Sequence, residues 1–138
     1  MSAKEYLMRT RRLQARIDQL EKARQSAWDA ATSTTVSAGK ESVQSSDVTR
    51  KPETYSMLLS EIDRERGRLD SVKAETLHTI DMVQDNTSAA LLTGYYINSL
   101  SWEEVSVQLH YCYKHVVHAL HPRALAEVDK ILESGNTM

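Results

Sequence analysis

Phenylalanine is absent from this chain, which also has a single cysteine, two prolines and four glycines. Without phenylalanine, the core must be built from Leu, Ile, Val, Met and Ala, with tyrosine and tryptophan as the aromatic members. So few helix breakers leave room for long helices. The lone Cys112 excludes an internal disulfide and fits a reducing compartment. No apolar run approaches the length needed to cross a bilayer, and Met1 to Thr10 lacks the apolar core of a signal peptide, so a soluble, intracellular protein without membrane contact is expected. Glycine-rich phosphate loops and nucleophile motifs are missing, and the paired acids Glu103 and Glu104 are accounted for by helix capping, so no enzyme is expected. A positive balance is lacking too, since the formal net charge is −2. That weighs against nucleic-acid binding, where Lys and Arg supply much of the affinity.

What is present reads as all-α: a long N-terminal helical hairpin or coiled coil, then a small helical domain. The 138 residues suit one small domain with a helical extension. From Ala3 to about Ala31, Leu13, Ile17, Leu20 and Ala27 make a narrow apolar seam flanked by arginines and lysines, a pattern that seeks another helix. Residues 32–52 are rich in Ser and Thr, lack apolar periodicity and end in Pro52, so they read as a flexible loop. Glu53 to about Gln84 is a second helix, with Tyr55, Leu58, Leu59, Ile62, Leu69, Val72, Leu77, Ile80 and Val83 on its seam and Gly67 weakening its middle. The two helices can pair within one chain or between two. This places domain boundaries at 1–85 and 86–138.

In the second domain, Asn86, Thr87 and Ser88 offer caps for a short helix from Ala89 to about Asn98. The stretch Ser101 to Leu125 then has the pattern of two helices joined by a tight turn. Ser101 with Glu104 forms a capping box. Trp102, Val105 and Leu109 give an inward stripe, leaving Glu103, Glu104, Ser106 and Gln108 to water. His110 occupies a turn position that asks for a left-handed backbone, and Cys112 is a poor substitute for a Ser or Thr cap. Over Tyr113 to His121, helical angles put Tyr113, Val116, Val117 and Leu120 on one side and Lys114, His115, His118 and His121 on the other. Pro122 is expected to end that helix and open another, which runs to about Ser134 with Gly135 as its cap.

In a helix-turn-helix the outer face of the second helix enters the major groove. Lys114, His115 and His118 are the expected groove residues, with Tyr113, His121 and Arg123 at its edges or on the backbone. The spacing of His115, His118 and His121 after Cys112 also invites a zinc reading, but no second cysteine pair accompanies them, and no metal or other cofactor is expected.

Several of these residues carry a family resemblance. Leu100 to Val105 (Leu-x-Trp-Glu-Glu-Val), the turn from Leu109 to Tyr113, and Arg123-Ala124-Leu125 leading to Lys130-Ile131-Leu132 resemble the phage-encoded ArpU-like transcriptional regulators, whose C-terminal part is similar to region 4 of bacterial sigma factors. Ala3 to Leu7 and Ala31 to Thr34 are similar to that family as well. The resemblance implies a phage or prophage regulator acting on late genes in the cytoplasm of a bacterial host. It implies contact with double-stranded DNA, with RNA polymerase as a further partner. A homodimer through the N-terminal helices would let two weak contacts add. Two rival readings are a helical oligomeric adaptor, such as a small-terminase-like packaging component, and a polymerase-binding protein without direct DNA readout.

Because histidine titrates near pH ~6.5, an imidazole-rich contact face should bind DNA more tightly on acidification. Affinity measured at about pH 6 and about pH 8 checks this; a flat response would remove the histidines from phosphate contact.

Overall fold

The computed structural model describes residues 1–36 and 45–136, with side chains described for 1–31 and 53–135. The described residues are all-α and contain no strand: α1 (Ala3–Val36), α2 (Ser45–Ile80), α3 (Asn86–Leu92), α4 (Trp102–Leu109), α5 (Tyr113–His115) and α6 (His121–Asn136). Single π-turns extend α3 over Thr93–Ile97 and join α5 to α6 over Val116–Leu120. None of these helices is long and apolar enough to cross a membrane.

The loop expected over residues 32–52 is largely helical at both ends. Helix α1 continues to Val36 and α2 starts at Ser45, carrying Pro52 within it. Residues 37–44, the remainder of that expectation, lie outside the described residues. Serine and threonine are poor but tolerated helix formers, so their abundance alone did not stop either helix.

The chain divides into two compact units, and the division differs from a cut at residue 85. One unit is Leu13–Arg68; the other joins Met1–Arg12 to Leu69–Met138. In the first, α1 and α2 run side by side in opposite directions: Glu21 takes Arg66 at 2.7 Å, and Arg24 Nη1 donates to Tyr55 Oη at 3.2 Å. Ile17, Leu20 and Ile62 are buried between them. Glu65 is buried as well, and its carboxylate accepts from Arg68 Nη1 at 3.0 Å. The pairing within this unit is therefore intrachain.

The other unit holds the main core. Leu7, Ile80, Leu91, Leu92, Tyr96, Val105, Val116 and Val128 come together from α1, α2, α3, α4, α6 and the two π-turns. The first turns of α1 belong here because Ala3, Tyr6 and Leu7 are buried in that core. Polar ties fix them: the Ala3 N–H donates to Asp129 Oδ1 at 2.7 Å, and Tyr6 Oη meets Thr79 Oγ1 at 2.8 Å. Thr10 Oγ1 donates to the Tyr96 carbonyl. The cap of α3 is Asp85, not the three residues after it; its carboxylate accepts from both the backbone N–H and the hydroxyl of Ser88. Those two bonds, with a smaller contribution from the Arg123 charge, hold the Asp85 carboxyl below its ordinary range.

Gly67 stands inside α2, and a Cβ built there would meet nothing within 4 Å. Gly67→Ala should therefore raise stability by about 0.5–1 kcal/mol through helix propensity and a less flexible unfolded chain. Chemical denaturation of the two proteins measures this; a loss of stability would mean that the position is constrained by something other than open solvent.

Candidate nucleic-acid interface

The candidate surface is set by how α4 begins and ends. Ser101 Oγ accepts from the Glu104 N–H at 3.2 Å, and the Glu104 carboxylate accepts from the Ser101 N–H at 2.9 Å, completing the capping box. Val105 is buried, with Trp102 and Leu109 half-buried beside it. Ser106, expected to face water, is buried instead, its hydroxyl satisfied by the Trp102 carbonyl at 2.8 Å. A serine that bonds back into its own helix can occupy an inward position, and so the apolar Val107 points out, 73% exposed.

His110 closes α4 in the left-handed conformation, with φ 62° and ψ 36°. Its N–H donates to the Val107 carbonyl at 3.3 Å, and the Tyr111 N–H donates to the Ser106 carbonyl at 3.2 Å. These are the two closing bonds of a Schellman motif, made here by histidine in the place glycine usually takes. Cys112 then takes the N-cap position of α5 with an extended backbone and no side-chain cap bond. The thiol is free and exposed.

From Tyr113 onward the helix is continuous through Pro122 to Asn136, so the break expected at Pro122 does not occur. The π-turn is the reason. It lies directly before Pro122, whose missing N–H and bulky ring forbid an ordinary turn, and the His121 N–H reaches back to the Val116 carbonyl. One extra residue in a turn also rotates all later residues by roughly 100° relative to a regular α-helix. Val116, Leu120, Ala124 and Val128, spaced by fours, thereby all stay buried.

That rotation corrects one site residue. His121, placed by regular helical angles beside Lys114 and His118, is turned inward and half-buried. Its Nε2 lies 2.7 Å from Tyr96 Oη, and its ring sits 4.5 Å from Trp102 and 5.9 Å from Tyr96. Burial, helped by the nearby Lys4 charge, pushes its pKa down to about 4. His121 is thus a neutral packing residue and not a groove-edge contact. Burial likewise raises the Tyr96 phenol above its ordinary range, so the hydroxyl stays protonated.

Lys114, His115, His118 and Arg123 are exposed. Tyr113, sorted onto the packing side by angle, is also exposed, at 45%. Tyr111 and Cys112 before it are exposed too. Among the described residues, no group of three His, Cys, Asp or Glu side chains is placed to hold a metal ion. Two features escaped the sequence: the outward Val107, and Tyr111, whose ring lies 5.2 Å from that of His115.

Comparison of the chain with protein-family models, with curated proteins and with solved structures finds no match.

The His121 shift fixes a pH dependence. The unfolded chain protonates this imidazole at its ordinary value of 6.5, the folded one only at about 4, so stability is full above pH 6.5 and falls as pH drops through that window. Allowing for solvent screening of a half-buried group, the loss between about pH 7 and about pH 5 should be of order 1–2 kcal/mol. Urea unfolding of the wild type and of His121→Gln at both pH values checks this; equal slopes with pH would show that His121 is not the group responsible.

Proposed function

We propose that this chain is a phage or prophage transcription regulator that binds double-stranded DNA through the turn at 110–112 and the helix beginning at α5, with α4 as the supporting helix, acting on late genes. The observation that carries this reading is the outward display of Tyr113, Lys114, His115 and His118 from one end of a helix whose other face is anchored by Val116, Leu120, Ala124 and Val128. Such a helix is held rigidly enough to be placed in a groove, and the short turn before it is closed by two backbone bonds. Side chains on that end can reach base edges, while Lys114 and Arg123 neutralise phosphates.

Charge limits the affinity of one copy. From Asn86 onward the full cations are Lys114, Arg123 and Lys130, against five carboxylates, Glu103, Glu104, Glu127, Asp129 and Glu133. A single domain therefore binds weakly, and pairing of two chains through the N-terminal helices would make the second contact intramolecular. The solution mass reads out that dimer.

One observation favours a protein partner in addition. The outer face of α4 combines the exposed carboxylates Glu103 and Glu104 with the exposed Val107, and a groove of about 350 Å³ runs between Leu100, Val107 and Gln108. This face repels phosphate and suits a protein such as RNA polymerase.

The deciding experiment is fluorescence anisotropy with duplex DNA from upstream of phage late genes, against scrambled duplex, at two salt concentrations. Binding should prefer the promoter and weaken with salt, and Lys114→Glu should weaken it by about tenfold or more without unfolding the protein. Absence of binding by a folded wild type at low salt would leave the polymerase-docking reading in its place.

A further inference from the structure

Tyr111 is an exposed aromatic that the fold does not use. Tyr6 and Tyr96 are core members and Tyr95 packs against that core, whereas Tyr111 is 45% exposed. Its backbone is nevertheless tied into the turn that closes α4. His110 holds the left-handed conformation just before it, and its own N–H is tied to the Ser106 carbonyl at 3.2 Å. Its ring is set against the His115 imidazole, with centroids 5.2 Å apart and planes at 41°. A rigid, amphipathic ring on an ordered turn loses little freedom on binding, which is the condition under which an exposed tyrosine contributes affinity.

The surface beside it is short of charge. Lys114 is the one full cation between Ser101 and Pro122, while Tyr111, Tyr113, His115 and His118 supply uncharged or titratable hydrogen-bonding groups. Tyrosine hydroxyls are regular donors to phosphate oxygens, and such contacts set the register of a domain on the duplex without a charge. We propose that Tyr111 is a further DNA-contacting residue, its hydroxyl donating to a phosphate of the duplex while its ring holds the His115 imidazole toward the groove. The inference rests on the DNA-binding reading above and adds to it a contact in the turn, before the helix begins.

Anisotropy titrations of the same promoter duplex with wild type, Tyr111→Phe and Tyr111→Ala test it, each at several salt concentrations. Loss of one hydrogen bond predicts about a threefold to tenfold weaker affinity for Tyr111→Phe, and Tyr111→Ala should be weaker still. Neither should change the slope of log affinity against log salt, since no cation is removed, whereas Lys114→Glu should flatten it. Thermal unfolding of both tyrosine variants should match the wild type, which separates a contact from a folding defect. Wild-type binding with affinities unchanged in both variants overturns the Tyr111 assignment alone. Failure of the folded wild type to bind duplex DNA overturns it together with the reading it rests on.

Discussion

The stack built around Tyr95 is the constraint on which the C-terminal helices depend. The Trp102 ring lies against one face of Tyr95, with centroids 3.7 Å apart and planes at 9°, and the Arg11 guanidinium covers the ring with its carbon 3.9 Å from the centroid. The same guanidinium donates to the carbonyls of Tyr95 at 2.8 Å and Leu100 at 3.3 Å. Those carbonyls lie near the end of the π-turned helix, where Ser99 takes a left-handed backbone and few helical partners remain. One side chain of α1 thus satisfies the end of α3 and clamps the ring that positions the start of α4. His121 closes the group from α6, in contact with Trp102 and Tyr96. Without a phenylalanine to pack there, the chain uses rings with polar tips, and the Tyr96 hydroxyl and His121 Nε2 partner each other.

The two π-turns have a shared geometric role. Each inserts a residue into a helix and so turns the positions that follow it. In the last helix this keeps Val116 and Leu120 in line with Ala124 and Val128, and it accommodates Pro122 without a break. The outward end, Tyr113 to His118, is thereby phased independently of the long packing end. A surface for a partner can be displayed at one end while the other end is committed to the core.

Cations are divided in the same way. Arg9 bridges to Glu75 at 3.5 Å while stacking on Tyr6, Arg11 serves the stack, and Arg24 joins Glu21 and Tyr55. Arg64, Arg66 and Arg68 each have a carboxylate partner. Much of the basic charge that the sequence places in the long helices therefore goes into internal ties, and Lys114 and Arg123 stand exposed on the candidate face. A charge-poor, ring-rich surface results, which makes geometry more important than electrostatic attraction in any contact it forms.

Local signals determined what depends on local physics. The scarcity of proline and glycine specified helices, Ser101 with Glu104 specified where α4 starts, His110 specified its left-handed end, and Cys112 marked a cap position without a cap bond. Lys114 and His115 were legible as an outward face because they lie before the helix departs from the regular 3.6-residue period, and His118, within the π-turn, still faces outward. Beyond that point the angles no longer hold, and so His121 could be placed in the aromatic group only by the tertiary structure. The same is true of Ser106, whose burial depends on a bond into its own helix, and of Asp85, which caps one residue earlier than the Asn-Thr-Ser run suggests. Tertiary packing alone decided that the first twelve residues belong with the C-terminal helices, because the reason is the burial of Ala3, Tyr6 and Leu7 against residues more than sixty positions away. A sequence states which faces are apolar; which distant face covers them is settled when the helices pack.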